Sequence, residues 1–562
     1  MKAFLHPVRL CLTPLAPLHI GLGEDFDPTG YIIDDNVLYA FDPSQAALPD
    51  VLRQKLLEGA SSGKADGIHR IYRLLLEYKD LFIPRAHSII PVANGVAEKY
   101  RQSLGKPVHT ESDLITKVYN NNYLERTVYL PGNGIPYLPG SSVKGAMSTA
   151  WLEHLYEKAP QIGDRLQNRL AELLERGNNS ERFIDRQLTG CGKELEDDLL
   201  QGKFETSPMR LLKIADFMPQ YAIARKIMFA CNFKKNPVKD DGSGSRGRGP
   251  AARKEVILPG QYRSFISETV LHDLSGVVNL HTGKTPALRP AFNELAGYCN
   301  NYYRRRFEKE RLLLLKRKMA DRVGTERLSK LYRELRDRLD AASAFLIRLG
   351  RYGDAETKTI EGAARIKINA GKGRPPRYQK DTTTFWAAAD SETQEYGLMP
   401  FGWALVEIDP QEDCRPLLDW CAEESRSHPD MHAVMTGLKE KRAEAERAEA
   451  AQKAAEAALK EQAEAEARAR ADREREQAAM SGEQRRLAEF CKVLGLHPQL
   501  KAGDAGAAVL QQVAEFLEAA LVWPASERKE CAESITPLLK EKRMFQGKRD
   551  KQFRDLLHRL RS

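Results

Sequence analysis

The sequence predicts an α+β protein that ends in an all-helical extension, and three observations predict it. Val8, Leu10 and Leu12 alternate with Arg9, Cys11 and Thr13, the period-two pattern of a strand. Strand-like runs recur at residues 209–214, 255–258, 261–270 and 403–408, separated by long helical stretches without a clean alternation. After Gly437 the chain becomes almost entirely Ala, Glu, Lys, Arg and Gln, all strong helix formers.

The first strand is expected to bury one face, and it runs into His19-Ile20-Gly21-Leu22-Gly23. Tyr31-Ile32-Ile33 and Val37-Leu38-Tyr39 flank Asp34-Asp35-Asn36, whose short polar side chains suit a tight hairpin turn. Residues 52–81 read as helical, with Leu52, Leu56, Leu57, Ile71, Leu74 and Leu75 interrupted at Ser61-Ser62-Gly63. Between Phe233 and Lys254 lies a Gly, Ser and Arg mixture that packs no core and is expected to be mobile. Whether Arg246 and Arg248 in this 240–254 segment follow an RNA backbone or sit in a plain linker stays open. Residues 304–349 read as a helical pair, with Leu328, Leu331, Leu335 and Leu339 on one face. Residues 439–479 are expected to form one solvated helix about 60 Å long, without the apolar seam of a coiled coil. Phe490, Leu494, Leu510, Val513, Phe516, Leu517, Leu538 and Leu539 recur at helical spacings in a separate C-terminal domain.

A chain of 562 residues exceeds what one core sustains, roughly 250–300 residues, so two to four domains are expected. Hydrophobic residues at 42% suffice for a core without disulfides or metal. The net charge of +9 suits a polyanionic partner without requiring one. Bunching is more telling: Arg304-Arg305-Arg306 leads to Lys316-Arg317-Lys318, and residues 540–561 hold nine cations against Glu541, Asp550 and Asp555. That last run reads as a solvated face or as a contact for nucleic acid or an acidic protein.

His6, Pro7, Arg9, Pro14 and Pro17 break any signal-peptide core, and no run approaches the ~20 apolar residues of a membrane span. Eight scattered cysteines without a Cys-x-x-Cys pair suit reduced thiols, so a cytoplasmic protein without a membrane partner is expected. Cys414, Cys421, His428 and His432 mimic a metal quartet. Six residues separate the cysteines and Pro429 interrupts the histidine pair's helix, so no metal is expected, and no cofactor.

Three segments carry a resemblance. Pro17-Leu18-His19-Ile20-Gly21-Leu22-Gly23-Glu24 precedes the hairpin. Tyr137-Leu138-Pro139-Gly140-Ser141-Ser142-Val143-Lys144-Gly145-Ala146 leads into an apolar helix. Arg348-Leu349-Gly350-Arg351-Tyr352-Gly353 is followed by Lys358-Thr359, then by Pro400-Phe401-Gly402-Trp403. In order and spacing these resemble the RAMP superfamily, most closely its members that cap the 3′ side of the guide in Csm complexes, over roughly residues 1–409. The resemblance implies tandem ferredoxin-like, RRM-related RAMP units with helical insertions. On that reading residues 1–205 and 206–409 are the two halves, 410–480 a charged helical spacer and 481–562 an accessory helical domain. It further implies a non-catalytic guide-RNA (crRNA) binding subunit of a type III-A CRISPR effector complex that supports crRNA maturation and antiviral defence. Its partners would be crRNA, the other RAMP subunits and host trimming nucleases.

The chemistry of the same residues is compatible with that. Small residues at 140–145 let backbone N–H groups approach an anion, Ser141 and Ser142 add hydroxyl donors, and Lys144 adds a point charge near a helix N-terminus. The spacing is not that of a Walker loop, and a strand-to-helix turn shaped by Gly140 and Gly145 is the alternative. Around Gly350, Arg351 and Lys358 would neutralise a backbone that glycine lets come close. Gly21, Gly23, Ser141, Ser142, Lys144, Gly145, Arg351 and Lys358 are therefore expected on or beside an RNA path. The alternative function is a RAMP endoribonuclease that processes precursor crRNA with His19 as acid or base, but a histidine at a strand end beside glycines is expected to be structural. Asp216 is expected to make a turn or bind a neighbour.

Overall fold

The computed structural model describes residues 5–46, 48–61, 65–105, 112, 123–132, 134–175, 180–203, 205–237, 248–272, 288–369, 375–504 and 507–562. The chain divides into two units, Met1–Ala445 and Glu446–Ser562.

In the first unit, the strand Leu5–Pro14 lies between Trp403–Ile408 and Phe265–His272, antiparallel to both. Ala344–Arg348 extends this sheet at one edge and Leu212–Ile214 at the other. Among the described residues the helix Gly140–Lys158 falls between its first and second strands in chain order, and Phe292–Lys316 between Phe265–His272 and Ala344–Arg348. Both helices contribute to one core with the sheet, Met147, Trp151 and Tyr303 joining Leu10, Leu12, Phe345 and Trp403. Numbered in chain order, Leu5–Pro14, Leu212–Ile214, Phe265–His272 and Trp403–Ile408 stand in the spatial order 4-1-3-2. Because elements cover this strand on either side, Cys11 and Thr13 are buried along with Leu10 and Leu12, not one face alone as the alternation suggested.

A second sheet runs Met399–Pro400, Thr384–Ala389, Arg225–Lys234, Arg248–Ile257, Leu124–Thr127 and Gly21–Asp25. Its pairings are antiparallel except that of Arg248–Ile257 with Leu124–Thr127. Each sheet draws strands from both sides of residue 205, so the stretches 1–205 and 206–409 are interleaved in space. The expected hairpin forms between Tyr31–Asp34 and Val37–Ala40, with Asp35 and Asn36 at φ 44° and 59° as a tight turn requires.

The structure departs from two expectations of the sequence. Arg248 to Lys254 is not linker but the start of a strand paired with Arg225–Lys234, where cross-strand bonding outweighs a poor local propensity. Arg248 itself donates to the carbonyls of Glu392 and Thr393, whereas Arg246 lies outside the described residues. Ala344–Arg348, expected to be helical, is a strand buried throughout its length, and a short continuous apolar run of that kind has no periodicity to distinguish it.

The helix His432–Ala479 is 48 residues long, about 72 Å at 1.5 Å per residue. Its early part belongs to the first unit, where Lys441 pairs with Asp80 and Arg442 donates to the Pro84 carbonyl. Residues 451–476 are exposed. In the second unit Gly482–Leu496, Ala508–Ala520, Ala525–Glu541 and Gly547–Arg561 enclose their own core of Leu510, Val513, Leu517, Ile535, Leu539, Phe553 and Leu557. Among the described residues no helix is long and apolar enough to cross a membrane.

Glu153 joins the first unit's two packed helices. Its carboxylate takes Arg306 in a two-pronged pair at 2.6 and 3.0 Å and accepts the Glu361 N–H at 2.8 Å. Both side chains are buried, so removing one strands the other charge away from water. Glu153→Ala is expected to cost about 3–5 kcal/mol of unfolding free energy in urea denaturation. A change below about 1 kcal/mol would contradict this burial.

Candidate nucleic-acid interface

The first and third glycine motifs meet through their backbones. Gly350 has φ 86°, and a Cβ built on it would lie 2.1 Å from the His19 carbonyl oxygen. No other residue tolerates both the left-handed backbone and that approach. The Arg351 N–H reaches the same carbonyl at 3.4 Å. Gly402 locks the pair, donating to the Pro17 carbonyl at 2.9 Å and accepting from the Leu349 N–H at 2.8 Å.

Beneath this junction lies a buried polar network. His19, 1% exposed, places Nδ1 2.8 Å from the Glu255 carbonyl and Nε2 3.5 Å from Glu125 Oε1. Burial lowers its pKa to about 4, so the ring is neutral near pH 7, with Nδ1–H donating to the carbonyl. Glu125 also pairs with the Lys254 ammonium and lies 3.7 Å from Arg351 Nη1. Burial lowers Lys254 to about 8, and its ammonium stands 5.6 Å from the Tyr352 ring centre. Glu255 is neutralised by Arg225 at 2.7 Å and accepts the Thr127 N–H at 3.1 Å.

Above the network, the outward groups include cations and open backbone beside the Leu22 side chain and the Glu24 carboxylate. The Arg351 side chain is 70% exposed. Lys358 is exposed and reaches the Arg351 carbonyl at 3.3 Å. Gly21, Leu22 and Gly23 are exposed beside them. The Gly350 loop is held from below, with Tyr302 Oη donating to the Thr359 carbonyl at 2.8 Å and Lys235 pairing with Glu356 at 2.5 Å.

The second motif is placed differently. A Cβ on Gly140 would lie 2.4 Å from the Ala215 carbonyl oxygen, so this glycine serves close packing. Asp216 Oδ1 accepts the Gly140 N–H at 2.8 Å, filling the position an anion would take at the helix start. Lys144, which burial and then Lys213 hold below the usual ammonium range, donates to the Leu212 carbonyl at 2.8 Å. Ser141 and Gly145 are exposed one turn apart, and Ser142 is half-buried. Among the described residues no hydrogen bond or ion pair joins Ser141, Ser142, Lys144 or Gly145 to the other two loops. The link is indirect, through Glu153 on the same helix and the Glu361 N–H.

Sequence reasoning missed Glu125, Lys254, Glu255 and Tyr352. The one available signal was Arg253-Lys254-Glu255, three charges in succession next to the apolar run Val256-Ile257-Leu258. Of the quartet weighed as metal ligands, Cys414 and Cys421 sit in the apolar core and His428 Nε2 faces the Pro259 carbonyl at 2.7 Å.

A family model for the RAMP superfamily matches residues 11–353. Among curated proteins, the chain is similar to the "CRISPR system Cms protein Csm5" of Methanocaldococcus jannaschii, 24% identical over 207 residues. The match covers 36% of this chain and 40% of that protein, so the chain spans about two-fifths of its relative's length. Among solved structures, it is similar to a chain of the Csm-crRNA-target RNA ternary complex of a type III-A CRISPR-Cas system. That likeness has a TM-score of 0.41 and 17% identity, over 72% of this chain and 100% of that one. It is also similar to the crystal structure of T. onnurineus Csm5, with a TM-score of 0.39 and 18% identity over 70% and 99%.

A histidine lowered from 6.5 to about 4 contributes stability that is fully present above pH 6.5 and lost as pH falls toward 4. Over that interval the protein is expected to lose about 3 kcal/mol more than its His19→Gln variant, measured by denaturant unfolding at each pH. Parallel pH profiles would show that the ring is not held neutral by burial.

Proposed function

This chain belongs to the RAMP superfamily, and from that premise we propose that it is a guide-RNA (crRNA) binding subunit of a type III-A CRISPR effector complex, a counterpart of Csm5 that caps the 3′ side of the guide. One observation carries the reading: the loops at His19–Gly23 and Gly350–Lys358 touch and share a surface whose outward groups include open backbone, Arg351 and Lys358. Exposed cations over a neutralised base suit a ribose-phosphate chain, which is recognised by shape and charge more than by base identity. The partial similarity to Csm5 supports the choice within the superfamily. With Ala344–Arg348 set aside as an added edge strand, the 4-1-3-2 order of the other four supports reading the first sheet as one RRM-related unit, with the second sheet as its companion.

On this reading Gly21 and Gly23 admit the RNA backbone, and Arg351 and Lys358 pair with its phosphates. Ser141, Ser142 and Gly145 form a further contact along the path. Lys144 positions the helix behind them through its bond to Leu212. The guide is held without being cut. In support, the His19 ring is enclosed and its Nδ1 is engaged by a carbonyl, so it offers no face to a scissile phosphate. Neighbouring effector subunits would flank the guide, and trimming nucleases would act on the RNA that emerges beyond the cap.

Replacing Arg351 and Lys358 together by Ala is expected to weaken binding of guide-length RNA roughly tenfold at moderate salt. The slope of log affinity against log salt should fall by about 1.4, two phosphate contacts at ~0.7 each. Lys144→Ala should leave that slope unchanged while costing about 1 kcal/mol of stability. An unaltered affinity and slope in the double variant would overturn the assignment. Metal-free cleavage of repeat RNA by the native protein, abolished in His19→Ala, would support an endoribonuclease instead.

A further inference from the structure

The second unit holds a cationic hollow for which guide capping has no use. The hollow, about 570 Å³, is lined by Leu500, Gly503, Lys540, Arg543, Phe545 and Gly547 among others. Its two walls are fastened together: the Leu500 N–H donates to the Lys542 carbonyl at 2.9 Å, and the Gly503 N–H to Gln546 Oε1 at 3.2 Å. Met544, fully buried, anchors the turn between Arg543 and Phe545 in the core. The hollow is therefore part of the folded unit.

Its charge is uncompensated. Lys501, Lys540, Arg543 and Lys548 are exposed, and none has a carboxylate partner among the described residues. On the last helix Arg554 pairs with Asp550 at 2.8 Å, whereas Arg549 donates to Gln552 at 2.6 Å and Arg561 to Thr536 at 2.9 Å, neutral partners that leave the charge in place. Lys540 and Arg543 line the hollow, and Lys501 and Lys548 are next in sequence to its lining residues, so a polyanion seated there would be met by like charges that it neutralises.

Two further features distinguish among polyanions. Phe545, half-buried, lines the hollow as a flat apolar group, and the Arg554 guanidinium stands 5.3 Å from its ring centre. Gly503, at φ 103°, has open space where a Cβ would be, so a bulky chain can approach its backbone. The carboxylates of an acidic peptide would answer the charge but not the ring. Nucleotides answer both, through phosphate pairing and stacking. We propose that this hollow binds single-stranded nucleic acid, with Lys540, Arg543 and Lys548 pairing with phosphates and Phe545 stacking on a base.

The test is photo-cross-linking of the full-length protein to a thiouridine-containing oligouridylate of ~12 nucleotides, with a thiothymidine DNA of equal length as a second arm. Adducts are expected on peptides covering residues 540–548. Their yield should fall at least tenfold in the variant Lys540→Gln, Arg543→Asn and Lys548→Gln, asparagine being chosen because it tolerates the φ of 57° at 543. Adducts with both oligonucleotides would support recognition of the phosphodiester chain, and adducts with RNA alone would support added contact to the 2′-hydroxyl. Their absence from 540–548 in the native chain would overturn the proposal, whatever happens at the Gly350 loop and whether or not the variant folds. Binding of a polyglutamate peptide that is lost in the variant while oligonucleotide adducts persist would also overturn it, in favour of an acidic protein.

Discussion

The candidate surface depends on one backbone contact, that of Gly350 against the carbonyl of His19. These residues are more than three hundred positions apart, and a side chain of any size at 350 would force them apart. Because they touch, the exposed strand at Gly21 and the cations at 351 and 358 belong to one face. Glycine's role here is steric, and it comes at the usual cost in chain entropy. That cost is offset by the bonds on either side, from Gly402 to Pro17 and from Leu349 to Gly402.

The network below that contact explains which charges are available. Lys254 and Arg225 are drawn inward and neutralised by Glu125 and Glu255, while His19 stays uncharged. Burying these groups without partners would cost several kcal/mol each, so their pairing is a condition of the fold. Arg351 only skirts Glu125, at 3.7 Å, and remains in water. The formal charge of +9 therefore says little about affinity, since what a polyanion meets is set by which cations stay exposed rather than by their total. The same separation recurs in the C-terminal bundle, where paired and unpaired basic residues share one helix.

Much of this was legible in the sequence because the signals were local. The turn at Asp35-Asn36 needs only short polar residues that accept a positive φ, and the long helix needs only its composition. Ala344–Arg348 was misread because four consecutive buried apolar residues and a buried arginine carry no period, and Arg248 to Lys254 because the partner strand, not the glycine within it, determines its state. The interleaving of the two sheets was invisible, since strand order depends on contacts between distant segments. At the site, glycine motifs with nearby cations could be found by eye, but Glu125 could not, because a single glutamate carries no sign of being buried. Lys144 shows the converse: a lysine beside glycines reads as a phosphate ligand until it is seen to be half-buried, with its ammonium 2.8 Å from the Leu212 carbonyl.

Hydrogen–deuterium exchange of the full chain with and without guide RNA addresses the central claim most directly. The amides of residues 19–25 and 350–358 are expected to be slowed together on binding. Protection confined to other segments, with both of these unchanged, would contradict it.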